Sequence, residues 1–538
     1  MNAIKFMLKH PAIFYVVYLL IGVTQIPAIG ISWDEPAMRG LGASAAKYIV
    51  ALVHPSLLQS FQDLPQFEKI QDFQSTPDGD HGVIFELGLL SIEAIFKLSS
   101  NTVLLWQVRH LLTFLFCSLS IVIMFKFLNW RFHSLTIAYL GTCAFVLTPR
   151  IYGDSFFNEK DSVFLTTYFA ASYLLIKFLS ERSLKSSVLA GISVGFSIAI
   201  RPLSVGLIFI LLLVWVLAKV RKPNSQTVVR NQSLPVFIIV STASTFAFFP
   251  YLWQDPFRRA IKVFLSASSF PWSGKILTNG QLYNSLDLPW FYVFLWVGVT
   301  IPLIYIPVLV FGILWSPIRI YADYHANAGT DWSAKSVADL FIYLSALGPL
   351  TAVIVLRSTL YDGWRHLYFV YPAFLIIGVH GLVFLHSKLN RHRSLVGILL
   401  VVLFFNFLST GRWMFENRPL QNVYFNQFAG QNIREQWEMD YWGLANRKTL
   451  DFLTKHDSSS KITIYLASAT PLFRSLDLLE KSQANRIEIV SDVNEAKYVF
   501  TNYRDVKIRN NKLFEGEFKV LYTSMVGDAN VNTLLVRK

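Results

Sequence analysis

Charge is scarce in this chain. Asp, Glu, Lys and Arg make up 15% of its 538 residues, against about 25% in soluble domains, while 53% are hydrophobic and the mean hydropathy is +0.43. That excludes an ordinary soluble domain and points to a polytopic membrane protein. Cysteine is nearly absent: Cys117 and Cys143 both lie inside apolar stretches, which supports neither a disulfide framework nor a cysteine metal site. Acids are outnumbered by bases, 34 to 48, for a net charge of +14. The Lys and Arg, however, sit in short loops between apolar runs, a pattern that orients a membrane protein and speaks against a nucleic-acid partner. No internal repeat is visible, which disfavours transporters built from duplicated halves.

What is abundant is long apolar sequence. Crossing a bilayer takes roughly 17 to 25 such residues, and about eleven runs approach that length, near 12–30, 104–128, 134–149, 162–179, 186–200, 203–219, 234–252, 290–315, 337–356, 367–386 and 394–410. The runs at 134–149 and 186–200 are short enough to be tilted, kinked or re-entrant. Lys5 and Lys9 ahead of the first run would also suit a signal peptide, but Trp33 as an interfacial anchor favours an uncleaved span. Lys126, Arg131, Lys177, Arg182, Lys185, Lys219, Arg221, Lys222, Arg230, Lys388, Arg391 and Arg393 then fall on one side, which the positive-inside rule makes cytoplasmic. The other side receives Asp34 and Glu35, the 150–161 loop, Arg201, the 253–289 and 357–366 loops and everything after 411.

The expected fold is mainly α: a polytopic helical membrane domain over 1–410 with about eleven spans, including a long first outer loop at 31–103, plus a small C-terminal α/β domain over 411–538 outside the membrane. In that last region Lys461 to Ala467, Arg486 to Val490, Lys497 to Thr501, Phe518 to Tyr522 and Val531 to Val536 have strand length, while Arg447 to His456 and Pro471 to Lys481 read as helices. Within the first outer loop, 36–53 and 82–98 are amphipathic, as helices lying along a membrane surface would be.

Three polar groups stand out on the predicted outer face. Ser32-Trp33-Asp34-Glu35-Pro36 places two acids where the chain leaves the first span, a costly position that marks a functional candidate; the plainer reading is a helix cap. Thr148 to Asp161 carries mixed charge ending in Glu159-Lys160-Asp161, which would also suit a polar turn with Asp161 opening the next helix. Arg357 and Tyr361-Asp362-Gly363-Trp364-Arg365-His366 cluster cations, and Ile200-Arg201-Pro202 adds another. One such Arg is explained by snorkelling, but several together suit the gripping of phosphate. Acids and cations on one face at a bilayer boundary fit group transfer from a lipid-linked phosphate: the phosphate leaves with charge stabilisation, and the attacking hydroxyl gives its proton to a carboxylate.

These residues carry a family resemblance. The Asp34-Glu35 pair, Pro149-Arg150 followed by Phe157-Asn158-Glu159-Lys160-Asp161, Phe270-Pro271-Trp272 through Gly280 with Leu288-Pro289-Trp290-Phe291-Tyr292, and Tyr361 through His366 resemble the membrane-embedded C-type glycosyltransferases of family 39, relatives of protein O-mannosyltransferases and lipid A aminoarabinose transferases. The segment Asp440-Tyr441-Trp442-Gly443-Leu444 is similar to the entry into the outer domain of bacterial relatives. The resemblance implies inverting transfer of a sugar from a polyprenyl-phosphate donor to an acceptor hydroxyl on the extracytoplasmic side, with an acceptor that is a protein, a lipid or a glycan. It implies Asp34 as base, Glu35 as its support or a metal neighbour and Asp161 as a second acid, with Lys160, Arg357 and Arg365 facing donor phosphate and His366 as a further candidate; Arg201 joins them from its place on the same face. Cofactor need stays open, a divalent metal included. The membrane expected is a bacterial plasma membrane, with the endoplasmic reticulum as the alternative, and membrane lipids are expected partners. A transporter or flippase remains an alternative, because Arg109 lies inside the second span. So does a non-catalytic assembly protein with 411–538 as its binding module.

Overall fold

The computed structural model describes residues 10–56, 72–76, 78–181, 183–221, 233–268, 272–326, 332–389, 393–504, 514 and 516–538. Lys5, Lys9, Arg182, Lys222, Arg230, Phe270, Pro271 and Arg391 of the sequence reading lie outside them, as does the Arg393 side chain.

Among the described residues, eight helical segments are long and apolar enough to cross a membrane: Pro11–Ala28, Thr102–Phe132, Asp161–Glu181, Pro202–Arg221, Tyr305–Ala326, Ala334–Val355, Arg365–Leu389 and Ser394–Glu416. Three shorter apolar helices, Leu135–Val146, Leu184–Ile200 and Ser233–Phe248, complete the set. The chain is thus a multi-pass membrane protein. Side-chain caps allow the connections to be short: Asn101 accepts from Leu104 N at 3.1 Å and Ser134 from Ile137 N at 3.3 Å, each satisfying a donor the first turn would leave open. Small residues bring helices close. At Gly195 an added Cβ would stand 2.5 Å from Ser244 Cβ, and at Gly312 it would stand 2.4 Å from the Ile377 carbonyl oxygen, the close approach by which apolar helices associate without a hydrophobic driving force.

One expected span is corrected. The 290–315 run is two helices, Tyr292–Thr300 and Tyr305–Ala326, because Pro302 holds Ile301 extended at ψ 158°. The open carbonyls there are used: the Asn426 amide donates to Gly298 O and Ile301 O, both at 2.7 Å. Arg131, counted among the loop cations, lies in the last turn of Thr102–Phe132 as a buried partner of Asp339, with His380 Nε2 3.4 Å from the same carboxylate.

Two amphipathic helices, Glu35–Val53 and Ile84–Ile95, pack on each other beside the bundle, close to the 36–53 and 82–98 stretches expected. A hairpin missed in the sequence, β1 (Lys275–Thr278) and β2 (Gln281–Asn284), pairs antiparallel. The C-terminal strands are β3 (Ile462–Leu466), β4 (Ile487–Val490), β5 (Tyr498–Thr501), β6 (Phe518–Val526) and β7 (Ala529–Arg537), in the order β4-β3-β5-β7-β6. β3 runs parallel to β4 and β5, while β5–β7 and β7–β6 are antiparallel. Leu450 and Leu453 of the helix Asn446–His456 cover one face, meeting Ile462, Ile464, Phe500 and Leu534. The helix expected at 471–481 is instead three short turns, Leu472–Ser475, Leu476–Leu478 and Lys481–Ala484.

The sheet is tied to the bundle. Trp437 packs edge-on against Trp296 at 5.1 Å and bridges to Thr278, and Leu478 packs with Ile31, Leu105 and Trp106.

Candidate active site

The chain leaving the first apolar helix is pinned before it reaches Asp34. Glu35, only 1% exposed, turns back to accept from Ser32 N at 2.6 Å and lies 2.8 Å from His110 Nε2. Trp33 N donates to Trp442 O at 3.1 Å. Glu35 therefore holds the loop, and Asp34 is left with a side chain 38% exposed and Oδ2 at 3.3 Å from Arg365 Nη1.

Asp161 opens the helix Asp161–Glu181. Asn158 sets its position: Asn158 Oδ1 accepts from Asp161 N at 2.7 Å, and its amide donates to Asp161 Oδ2 at 3.2 Å and Asp154 Oδ2 at 3.3 Å. Asp161 Oδ2 then takes Arg365 Nη1 at 3.0 Å, and Oδ1 pairs with Arg201 Nη2. Asp34 and Asp161, 127 residues apart in the numbering, thus share one guanidinium nitrogen.

Arg365 is placed by a turn that needs unusual backbone. Asp362 and Gly363 have φ of 56° and 75°, a region Asp enters more readily than most residues and Gly without penalty. Asp362 Oδ2 takes Arg365 Nη2 at 3.3 Å, and its Oδ1 takes Arg504 Nη2 at 2.9 Å from the sheet-bearing region. The Arg365 guanidinium lies 4.6 Å from the Trp442 ring and 4.9 Å from that of Tyr361, which limits its rotation.

Three carboxylates thus meet three guanidiniums, and Lys160 adds a further cation. Its half-buried ammonium forms no hydrogen bond or ion pair among the described residues. Burial first, then neighbouring Arg201, pulls its pKa down to about 8. His366 packs edge-on to Tyr361 at 4.6 Å with Nδ1 buried and unpartnered. Arg357 is not brought in: it is exposed, its φ is 49°, and it makes no ion pair with these acids. Among the described residues no three His, Cys, Asp or Glu side chains are grouped to hold a metal ion.

Behind the chamber, Arg150 donates to Tyr424 O at 3.2 Å and stacks on Phe425 at 4.7 Å. Burial pushes the Asp154 carboxyl up to about 7.

Arg109, the intramembrane cation that motivated the transporter alternative, is sealed. Glu86, Glu93 and Glu159 hold it at 2.5, 2.6 and 2.8 Å, and all four side chains are at most 7% exposed. Burial holds the Glu159 carboxyl above its ordinary range. Arg39 completes the cluster on Glu93 at 2.9 Å. It ties the helix Ile84–Ile95 to the span.

Sequence reasoning missed Asp362 as a pairing residue, together with Asn158, His110, Trp442 and Arg504. Asn158, Asp362 and Trp442 stood inside motifs already noted, whereas Arg504 carried no local signal.

In this multi-pass helical protein, acids and arginines from distant segments thus meet in one cluster. Residues 87–246, which include Asp161, Lys160 and Arg201, match the family model described as dolichyl-phosphate-mannose-protein mannosyltransferase. The match bears out, over that stretch, the resemblance to membrane-embedded C-type glycosyltransferases. Among solved structures, ArnT from Cupriavidus metallidurans in the apo state is similar at 11% identity, covering 99% of this chain and 98% of that one with a TM-score of 0.44. ArnT from the same organism bound to undecaprenyl phosphate is similar at 11% identity and 97% coverage of each chain, with a TM-score of 0.42. No curated protein matches.

Proposed function

We propose that this protein transfers a sugar from a polyprenyl-phosphate donor to an acceptor hydroxyl on the extracytoplasmic face of the membrane, with inversion at the anomeric carbon. The observation that carries this reading is the shared Arg365 Nη1: it joins Asp161, 2% exposed, to Asp34, whose side chain is open to an incoming molecule. Asp34 is the base. It accepts the acceptor hydroxyl's proton as that oxygen bonds the anomeric carbon, and the bond from that carbon to the phosphate oxygen breaks on the opposite face. The electron pair leaves with the polyprenyl phosphate, which needs positive charge more than a proton.

Lys160, Arg201 and Arg365 supply that charge. Asp161 fixes the planes of both arginines before substrate arrives, so little reorganisation is left for the reaction. Glu35, locked on His110 and Ser32 N, positions Asp34 and does not face substrate. The region after the helix ending at Glu416 forms the outer domain. The sealed Arg109 cluster removes the motive for a transporter.

The test is turnover of a polyprenyl-phosphate-linked sugar by the full chain in liposomes. Wild type releases or transfers the sugar and Asp34→Asn does not, while a nucleotide sugar is not used. Equal use of the nucleotide sugar, or wild-type turnover by folded Asp34→Asn, refutes the reading.

A further inference from the structure

The cations that line the chamber differ in one respect. Arg201, Arg365 and Arg504 each hold a carboxylate. Arg474 holds none. It belongs to the short helix Leu472–Ser475, far in sequence from the membrane spans, yet its guanidinium lies 5.9 Å from the Trp33 ring centre. Its Nε and Nη1 are shielded from solvent and have no hydrogen-bond partner, an arrangement that costs free energy unless a partner arrives.

The position is not accidental to a loose side chain. Four residues on, Leu478 is 3% exposed and packs with Ile31, Leu105 and Trp106, so the segment is fixed against the strand of chain that leads into Asp34. Phe473 supports the guanidinium at 5.5 Å. Asp34 and Asp477 are the acids within its electrostatic reach, and neither makes an ion pair with it among the described residues. Asp34 is the open carboxylate of the site, and Arg474 lies within its electrostatic reach.

We propose that Arg474 is a substrate-binding residue supplied by the C-terminal region, and that it grips a phosphate oxyanion on a molecule entering beside Asp34. A planar guanidinium whose Nε and Nη1 both lack an acceptor suits an oxyanion such as phosphate. The oxyanion has two sources: the donor lipid's own phosphate, or a phosphate on the acceptor. The inference rests on the glycosyltransferase reading for the identity of the entering molecule, but not for the anion site itself.

Two probes separate the sources, both applied to the full-length protein: undecaprenyl phosphate, by equilibrium binding, and inorganic phosphate, as an inhibitor of donor turnover. If the donor supplies the oxyanion, Arg474→Gln weakens undecaprenyl phosphate binding about 10-fold or more. Arg474→Lys recovers part of that loss. If the acceptor supplies it, undecaprenyl phosphate binding is unchanged, but the inhibition by inorganic phosphate seen in wild type is lost in Arg474→Gln. The exposed Lys481→Gln, on the same segment, leaves both readouts at wild type. Arg474→Lys keeps the packed stem and so serves as the reporter if the Gln variant is unstable, with a smaller change in the same direction. Variants that match wild type in both binding and inhibition overturn the proposal. Wild type that fails to bind undecaprenyl phosphate instead overturns the donor assignment, and leaves the inorganic phosphate arm to judge Arg474.

Discussion

Two buried ionic clusters in this molecule use the same chemistry and come to opposite ends. Around Arg109, three glutamates close on one guanidinium, and no side chain in the group is more than 7% exposed. Around Arg365, three aspartates meet the guanidinium at similar distances, but one of them, Asp34, keeps 38% of its side chain exposed and Lys160 beside it has no partner. The first cluster has used its charges to join helices. The second has charges left over and a way in. Access and unspent valence, rather than the presence of buried charge, distinguish a site from a strut.

Substitution tests that difference, and the largest effect belongs to the closed cluster. Arg109→Met leaves Glu86, Glu93 and Glu159 buried without their cation, and breaking such a group from one side costs about 3–5 kcal/mol; thermal unfolding in detergent is expected to show a strongly destabilised or unfolded chain. Asp161→Asn comes next. It frees Arg201 and takes one of three carboxylates from Arg365, so turnover of the donor is expected to fall about 10²-fold, with far less loss of unfolding temperature than Arg109→Met. Equal destabilisation by the two would erase the distinction between strut and site.

A smaller effect concerns pH. With its pKa pulled down to about 8, Lys160 is a cation below that pH and neutral above it. Donor affinity is therefore expected to weaken as pH rises through 8, and Lys160→Arg, which keeps its charge, should flatten that limb. Equilibrium binding of undecaprenyl phosphate from pH 6.5 to about 9.5 checks it. The smallest change is expected from Arg504→Gln. Arg504 is partly exposed at 19% and its pair with Asp362 lies at the chamber's edge, so a loss of about 1 kcal/mol of stability and a modest drop in turnover should follow.

How far the sequence reached depends on which contacts are local. Helices of span length and the strands of 462–501 follow from runs of apolar residues, and the expected ranges lie within a few residues of those observed. Asp34, Asp161, Arg201 and Arg365 could be expected to meet because loop charges placed all four on one side of the membrane. Hydropathy does not register backbone geometry, so the break at Ile301-Pro302 was hidden inside an apolar run. Nor could charge alone separate the exposed Arg357 from the buried Arg365, eight residues later in the numbering. Arg131 looked like a loop cation because its partner, Asp339, is 208 residues away. The contributions of Arg504 and Arg474 were out of reach for the same reason: they come from the C-terminal region, and folding alone brings that region over the membrane helices.

The central claim is that the open carboxylate does chemistry while the closed ones hold structure. The most direct measurement is the turnover number of Asp34→Asn against wild type, taken on protein whose unfolding temperature is unchanged. A fall of about 10²–10⁴-fold is expected for loss of a general base. Turnover within a few-fold of wild type, in a variant folded as well as the parent, would contradict it.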